Sequence, residues 1–454
     1  MNVTVIGAGF VGLSLSIALS YLGNHVMCID KDAEKINQLK NDDCFTDEYG
    51  IDELISILPV CFDESVTNSE ESINQADIVF ICVDTPMKEN GKADITHVMD
   101  VANELGNVLN PSHDMTIVLK STVPCTTTDL FSSVLKEQIK KNGHSIANSL
   151  IHIAHNPEFM REGCALADML MPYRIIIGTR DDVAVRMLKR LYSPILTQKF
   201  SMPNVLCFTK ERRNPKLMRT DPVTSELIKY ASNAFLALKI SYANEISILA
   251  KAYGADMKDI SDGMGMDDRI APYFLNAGLG WGGSCFPKDT KALVSMGTEQ
   301  GCSMKITRAA IDVNEQQKAR LVKILTNRLE DLHEKKIVIL GITFKPCTDD
   351  VRNSPAADVA IMLKSFGADI YVHDCRGIEN AKREYREHGF AFDDDVENIV
   401  QDAYAVVIAT DWKAYVTLPW RKMRDRMRYP LLVDARYLMQ NERQRLDGWI
   451  YVTL

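Results

Sequence analysis

The run Val3-Thr4-Val5-Ile6, followed at once by Gly7-Ala8-Gly9-Phe10-Val11-Gly12 and a helical stretch to about Tyr21, leaves this chain few folds to adopt. A buried apolar strand, a glycine turn and a helix in that order open a βαβ unit with a parallel sheet. Gly7 permits the tight turn, Gly9 lets backbone approach a pyrophosphate, and Gly12 lets the helix pack closely on the strand. A second strand, His25 to Ile29, ends at Asp30, 23 residues after Gly7. An acid there accepts hydrogen bonds from adenosine ribose hydroxyls and repels a 2′-phosphate, so the expected cofactor is NAD rather than NADP.

Further apolar strands are expected at Asp77–Val83, Thr116–Lys120, Ile151–His155, Arg174–Gly178 and Asn204–Phe208, which makes the first ~210 residues a doubly wound parallel sheet. From Thr224 to Tyr253 there is no Gly or Pro. Apolar residues recur at helical spacing through Leu227, Ile228, Ala231, Phe235 and Leu238, so this segment reads as one long helix, with Asp221-Pro222 as its start and Gly254 as its stop. The third part repeats the first: Lys336–Leu340 runs into Gly341, a helix follows Pro355, and the strand Asp369–His373 ends at Asp374, with more strands at Tyr404–Ala409 and Tyr429–Asp434. It lacks GxGxxG, so it should bind something other than a dinucleotide, or nothing. The basic, Pro-containing stretch from Lys210 to Arg219 reads as a loop. The expected fold is α/β, with two doubly wound Rossmann-like domains, at 1–210 and 326–454, joined by a helical domain at 211–325.

At 454 residues two or three domains are expected. The net charge of −9, with basic residues scattered along the chain, argues against a nucleic-acid surface. The eleven cysteines are odd in number and include no CxxC pair, as in a reduced cytoplasmic protein without structural disulfides or zinc. Residues 3–23 are apolar enough to resemble a signal or membrane segment, but no Lys or Arg precedes them and glycines interrupt them, so neither an export signal nor a membrane association is expected.

The segment Gly282-Gly283-Ser284-Cys285-Phe286-Pro287-Lys288-Asp289-Thr290 delivers one cysteine to the start of a helix. Pro287 suits the first helical turn, so Cys285 would lie beside amide donors and the positive end of a helix dipole, which favour a thiolate. An ordinary thiol is ionised only to about 3 % at neutral pH, and each unit of lowering multiplies that several-fold. The alternative is a glycine turn ahead of an inert buried cysteine. Asn156 can cap a helix and Pro157 open it, which would place Glu158 and Glu162 one turn apart on a common face. Lys229 and Asn233 are also four apart, although polar residues at such a spacing are usually just solvated.

Taken together with Lys-Ser-Thr-Val-Pro at 120–124, Asn-Pro-Glu-Phe-Met-Arg-Glu-Gly at 156–163, Glu-Leu-Ile-Lys-Tyr-Ala-Ser-Asn at 226–233, Gly-Met-Asp-Asp-Arg-Ile at 265–270 and Phe-Lys-Pro-Cys-Thr-Asp-Asp-Val-Arg at 344–352, the chain resembles the UDP-glucose/GDP-mannose dehydrogenase family. The resemblance implies a metal-free, four-electron oxidation of a nucleotide sugar at C6, UDP-glucose to UDP-glucuronate, with two NAD+ reduced. It makes Cys285 the nucleophile, Lys229 and Asn233 oxyanion donors, and Glu158 the acid/base of thioester hydrolysis, with Thr122 and Asp289 holding a water that takes the first proton. Cofactor contacts are implied for Gly7, Gly9, Phe10, Val11, Gly12, Asp30, Lys35, Thr85, Pro86, Ser121, Thr122, Glu162, Lys288 and Arg352. Substrate contacts are implied for Phe159, Glu162, Lys229, Asn233, Arg269, Phe274, Gly282, Lys345 and Arg436, Arg269 reaching a neighbouring subunit's site in a homodimer built on the long helix. GDP-mannose or a UDP-N-acetylhexosamine is the alternative substrate, and a non-catalytic nucleotide-sugar sensor the alternative class.

The chain departs from the family pattern at several positions. Asp84 and Thr126 stand where glycine is usual, Phe45 lies in the Pro-containing stretch before Glu48, Ala271 stands where glycine commonly follows Arg-Ile, and Trp281 stands where tyrosine commonly precedes Gly-Gly-Ser-Cys. Asp84 would put a carboxylate near the cofactor phosphates unless it points away.

Overall fold

The computed structural model describes residues 1–454 apart from 45, 47, 145–146 and 207–213. It divides into two compact units, Met1–Ala231 and Ser232–Leu454.

In the first unit the apolar runs become strands β1 (Asn2–Ile6), β2 (His25–Ile29), β3 (Val60–Asp63), β4 (Ile78–Ile81), β5 (Met115–Leu119), β6 (Ile151–His155), β7 (Arg174–Gly178) and β8 (Lys216–Thr220). They form one sheet in the order β3-β2-β1-β4-β5-β6-β7-β8. Neighbouring strands run parallel except β6 and β7, which meet antiparallel through His155 and Gly178. The strands β4 and β5 are buried along their whole length, as largely apolar runs in a doubly covered sheet must be. The helices that cover the sheet include α1 (Phe10–Tyr21), α2 (Thr96–Val108), α3 (Thr127–Lys141) and the short α4 (Ala165–Leu170). A Cβ at Gly12 would overlap the Gly7 carbonyl oxygen, so the approach of α1 to the turn requires glycine there. Strand order reverses between β1 and β4, and the crevice outside their carboxyl ends is where open α/β sheets take ligands.

Three expectations are corrected in this unit. The strand proposed at Asn204–Phe208 is not formed over 204–206, and its remainder lies outside the described residues. Of the basic stretch read as a loop, residues 210–213 lie outside the described residues and Lys216 onward forms β8, which pairs with β7 in register from Arg174↔Lys216 to Gly178↔Thr220. Its charged residues are those of an edge strand, where they discourage further pairing. The helix expected from Asn156 is absent: 156–161 are irregular, and the helix starts only at Ala165. Asn156 does not cap it because its side chain is buried, donating to the Ile176 carbonyl at 2.7 Å and accepting from the Tyr192 hydroxyl at 2.6 Å.

Helix α5 (Pro222–Tyr253) is one uninterrupted segment of 32 residues that begins in the first unit and continues into the second. In the second unit α6 (Phe286–Glu299) and α7 (Lys305–Leu329) precede a six-stranded sheet of β9 (Lys336–Leu340), β10 (Asp369–His373), β11 (Ala391–Phe392), β12 (Ala405–Ile408), β13 (Leu431–Asp434) and β14 (Ile450–Thr453). Its order is β11-β10-β9-β12-β13-β14, parallel throughout, and α8 (Pro355–Ser365) follows β9. Both sheets carry the same reversal about their first strand. No described helix is long and apolar enough to cross a membrane.

Candidate active site

At the head of α1, a Cβ on Gly7 would come within 2.8 Å of the Cys82 carbonyl, whereas a Cβ on Gly9 would meet nothing within 4 Å. The turn is therefore packed on one side and open over Gly9, with Phe10, Val11 and Gly12 forming the first turn of the helix behind it. Asp30, at the end of β2, accepts from the Ala8 amide at 2.7 Å, the Asp32 amide at 3.0 Å and Lys35 Nζ at 3.3 Å. An open glycine turn at a helix N-terminus beside this carboxylate suits a dinucleotide pyrophosphate and ribose. The loops after β4 and β5 are tied together, Thr85 Oγ1 donating to the Thr122 carbonyl at 2.7 Å and Ser121 Oγ to that of Val83 at 2.5 Å. This gathers Thr85, Pro86, Ser121 and Thr122 at one crevice. The Asp84 carboxylate is largely exposed and pairs with His97 Nδ1 at 2.7 Å, on α2.

A second cluster lies where β5 and β6 end. Glu158 and Lys229 are buried and form an ion pair, with Glu158 also accepting from the Met160 amide at 2.7 Å. Burial alone would push the Glu158 carboxyl up, but the charge and hydrogen bond of Lys229, the Met160 amide and the charge of Lys120 outweigh it and hold it below the usual carboxylate range. Phe159 lies beneath the Arg174 guanidinium, 3.8 Å from its ring centroid, with Lys229 Nζ at 5.6 Å. Glu162 sits in the turn before Gly163, so it does not share a helix face with Glu158. That turn is held from elsewhere: the Glu48 carboxylate accepts from the Gly163 and Ala165 amides, and Asp168 takes the Arg161 guanidinium in a fork. Lys229 and Asn233 project from neighbouring turns of α5 and are buried, not solvated, at 3 % and 7 % exposure.

In the second unit Cys285 is the N-cap residue of α6, half-buried, with Pro287 in the first turn and Ser284 Oγ 3.5 Å from its sulfur. Asp289, one turn further, is wholly buried and accepts from Asn233 Nδ2 at 2.6 Å and Lys288 Nζ at 2.5 Å. The cysteine thus sits at a helix start beside a carboxylate whose two oxygens are both held. Trp281 is buried, donating from Nε1 to Ser241 Oγ at 3.0 Å and lying edge-on to Phe286.

The anchoring residues behave differently from one another. The Arg436 guanidinium is inside the unit and donates to the carbonyls of Ala409 at 2.7 Å, Gly280 at 3.0 Å and Phe344 at 3.5 Å, with no carboxylate in ion-pair range among the described residues. Such a cation is suited to an anionic ligand. Lys345 lies near the Phe344 ring, Arg352 forks onto Asp350, and Arg269 is exposed and forks onto Asp267. Gly282 and Phe274 are shaped by their own unit: a Cβ on Gly282 would overlap the Asn353 carbonyl, and Phe274 takes φ +64°. Among the described residues no three His, Cys, Asp or Glu side chains gather as a metal site needs.

Sequence reasoning passed over Lys120, which is 4 % exposed and donates to Asn156 Oδ1 at 3.1 Å. A lysine directly after the fully buried Met-Thr-Ile-Val-Leu strand was the signal that could have found it.

Models of the UDP-glucose/GDP-mannose dehydrogenase family match three segments: the NAD binding domain over residues 1–196, the central domain over 223–316 and the UDP binding domain over 338–441. The chain is 37% identical to a UDP-glucose 6-dehydrogenase of Rickettsia felis, with 99% of this chain and 95% of that one covered. It is 38% identical to UDP-glucose 6-dehydrogenase YwqF of Bacillus subtilis, over 96% of this chain and 93% of that one. The structure of a UDP-glucose dehydrogenase from the hyperthermophilic archaeon Pyrobaculum islandicum superposes with a TM-score of 0.86 at 34% identity, covering 99% of this chain and 96% of that one. With all three segments matched and relatives of this identity spanning nearly the full length, the chain is an NAD-dependent oxidoreductase belonging to the UDP-glucose/GDP-mannose dehydrogenase family.

Proposed function

We propose that this enzyme oxidises UDP-glucose at C6 to UDP-glucuronate, consuming one water and two NAD+ per sugar, with Cys285 as a covalent nucleophile. The observation that carries the reading is Cys285 at the N-cap of α6, with a buried, doubly held Asp289 one turn away. When bound, NAD+ supplies the hydride acceptor for each of the two oxidations. Asp289 orders the water that takes the C6 hydroxyl proton as the alcohol becomes an aldehyde. The Cys285 sulfur then bonds to C6, giving a thiohemiacetal whose oxyanion accepts hydrogen bonds from Lys229 and Asn233. Loss of the hydroxyl proton and a second hydride leaves a thioester. Water adds to C6, its proton passes to Glu158, the C–S bond breaks, and the thiolate returns as the carboxylate forms.

The pair Glu158–Lys229 supports this assignment, because a carboxylate kept ionised can take a proton from water. Arg436, answered among the described residues only by carbonyls, and Lys345 are assigned to the diphosphate. A homodimer through α5 is supported by the exposed apolar stripe of Phe235, Tyr242, Leu249 and Tyr253. Location in the reducing cytoplasm is supported by the described cysteines, none of which is in a disulfide.

The test is the NADH yield from limiting UDP-glucose with excess NAD+, beside GDP-mannose and UDP-N-acetylhexosamines. Two NADH per UDP-glucose is expected. A yield of one removes the thioester step, and reaction with another sugar alone moves the specificity.

A further inference from the structure

The Lys120 ammonium is buried and, unlike Lys229, has no carboxylate within ion-pair distance among the described residues; it donates to Asn156 Oδ1 at 3.1 Å and to the Asn156 carbonyl at 3.4 Å. Keeping an ammonium out of water on neutral oxygens alone is costly, and methionine would fill a similar volume without that cost. The register explains how it gets there. Leu119 pairs with His155 in the β5–β6 ladder and the Asn156 amide donates to the Leu119 carbonyl at 2.8 Å, so Lys120 and Asn156 face each other one step past the strands. Asn156 is in turn held by the Tyr192 hydroxyl and the Ile176 carbonyl. Two residues further along the same irregular segment is Glu158.

We propose that Lys120 is a positioning residue for Glu158: through Asn156 it anchors the segment that carries the carboxylate, and with Lys229 it supplies the second of two buried positive charges that keep that carboxylate ionised. This rests on Glu158 being the acid/base of thioester hydrolysis. Three further titratable groups around the cluster, Cys82, His155 and Tyr192, carry no charge near neutral pH. Burial pushes the Cys82 thiol, at the end of β4, up to about 12, pushes His155 of β6 down to about 3, and pushes the Tyr192 hydroxyl up. The remaining charges nearby are Arg174 over Phe159, and Glu162 on the same segment as Glu158. Burial also pushes Lys120 down to about 8, the Glu158 charge opposing the shift, so its charge is present through the neutral range and lost above it.

The test compares Lys120→Met, Lys120→Arg and Asn156→Asp in the full-length enzyme by the pH profile of thioester hydrolysis in single turnovers. Removing the charge with Lys120→Met should move the acid limb upward by about one pH unit and slow hydrolysis roughly tenfold below it, with NAD binding and the KM for the sugar nucleotide within about twofold. The arginine variant should restore most of the limb, and Asn156→Asp, which gives Lys120 a carboxylate of its own, should move it in the same direction as methionine does. An unmoved limb in both Lys120→Met and Asn156→Asp, or an arginine variant no better than methionine, overturns the proposal. If Lys120→Met does not fold, Asn156→Asp decides alone. Glu158→Gln separates the two readings: unimpaired hydrolysis there removes the role of Glu158 itself, whereas impaired hydrolysis with an unmoved Lys120→Met limb removes only that of Lys120.

Discussion

The two sheets begin alike and diverge within three residues. Gly7 follows β1 at φ +100° and donates to the Ile29 carbonyl at 2.7 Å; Gly341 follows β9 at φ +95° and donates to the His373 carbonyl at 2.7 Å. The next amide, of Ala8 or Ile342, donates at 2.7 Å to the acid at the end of the second strand, Asp30 or Asp374. The third position then differs. Gly9 leaves open space, whereas Thr343 is wholly buried and its hydroxyl donates to Asp374 at 3.0 Å. Asp374 also accepts from the amides of Thr343, Arg376 and Gly377 and from Trp412 Nε1. One acid is left beside an open turn and the other is absorbed into its own fold, which is a physical reason why the same βαβ start yields a dinucleotide site once and not twice.

The largest difference between the packed and open sides of the first turn should appear at its glycines. Gly12→Ala should fail to fold or lose most of its stability, because its Cβ overlaps the Gly7 carbonyl, while Gly9→Ala should fold normally and lose NAD affinity at least tenfold. Thermal unfolding and a fluorescence titration with NADH separate the two. Next in size is the pair of acids. Asp374→Ala strips partners from several buried donors and should cost about 3 kcal/mol or more. Asp30→Ala should cost about 1 kcal/mol in stability and weaken NAD binding; similar stability losses in both would erase the distinction.

Much of this organisation was legible in sequence because burial on both faces forces continuous apolar strands, and a phosphate turn forces glycines at fixed spacing. What escaped was decided by partners distant in the chain. Asn156 looks like a helix cap, yet Lys120, Tyr192 and Ile176 claim its side chain and the helix begins at Ala165 instead. The edge strand Lys216–Thr220 carries the charges of a loop. Helix α5 is inverted: Phe235 and Leu227, part of the apolar spacing that marked it as a helix, are 60% and 44% exposed, while Glu226, Lys229 and Asn233 are buried. Periodicity reported the helix correctly but not which face lies inside.

The acid response should also distinguish the clusters. Glu158 is held below the usual carboxylate range, so the folded protein releases its proton more readily than the unfolded chain, and the stability it contributes is present above the ordinary pKa, about 4.5, and lost as pH falls through the folded value. Burial raises Asp434 in the second unit, so the folded state there holds its proton more tightly, and its contribution falls as pH rises above about 4. Urea midpoints between pH 6 and 3.5 should therefore fall on acidification less steeply in Glu158→Gln than in the parent. An unchanged slope would count against the buried ion pair.

The smallest expected effects come from two departures from the family pattern that stand at positive φ, Thr126 at +76° and Ala271 at +60°. Left-handed backbone costs a non-glycine residue about 1 kcal/mol, more with a β-branch, partly offset by the entropy glycine adds to the unfolded chain. Thr126→Gly should stabilise by about 0.5 to 1 kcal/mol and Ala271→Gly by less, read from denaturant midpoints. A loss in either would show that the strain is compensated locally; at Thr126 the hydrogen bond its amide donates to the Glu226 carboxylate, 2.6 Å, is the first place to look.

Covalent catalysis by Cys285 is tested by intact-mass and peptide analysis of Glu158→Gln after one turnover with UDP-glucose and excess NAD+. A UDP-glucuronyl thioester is expected on the peptide carrying Cys285, with two NADH formed per adduct. Two NADH with no adduct, or an adduct on another cysteine, would contradict it.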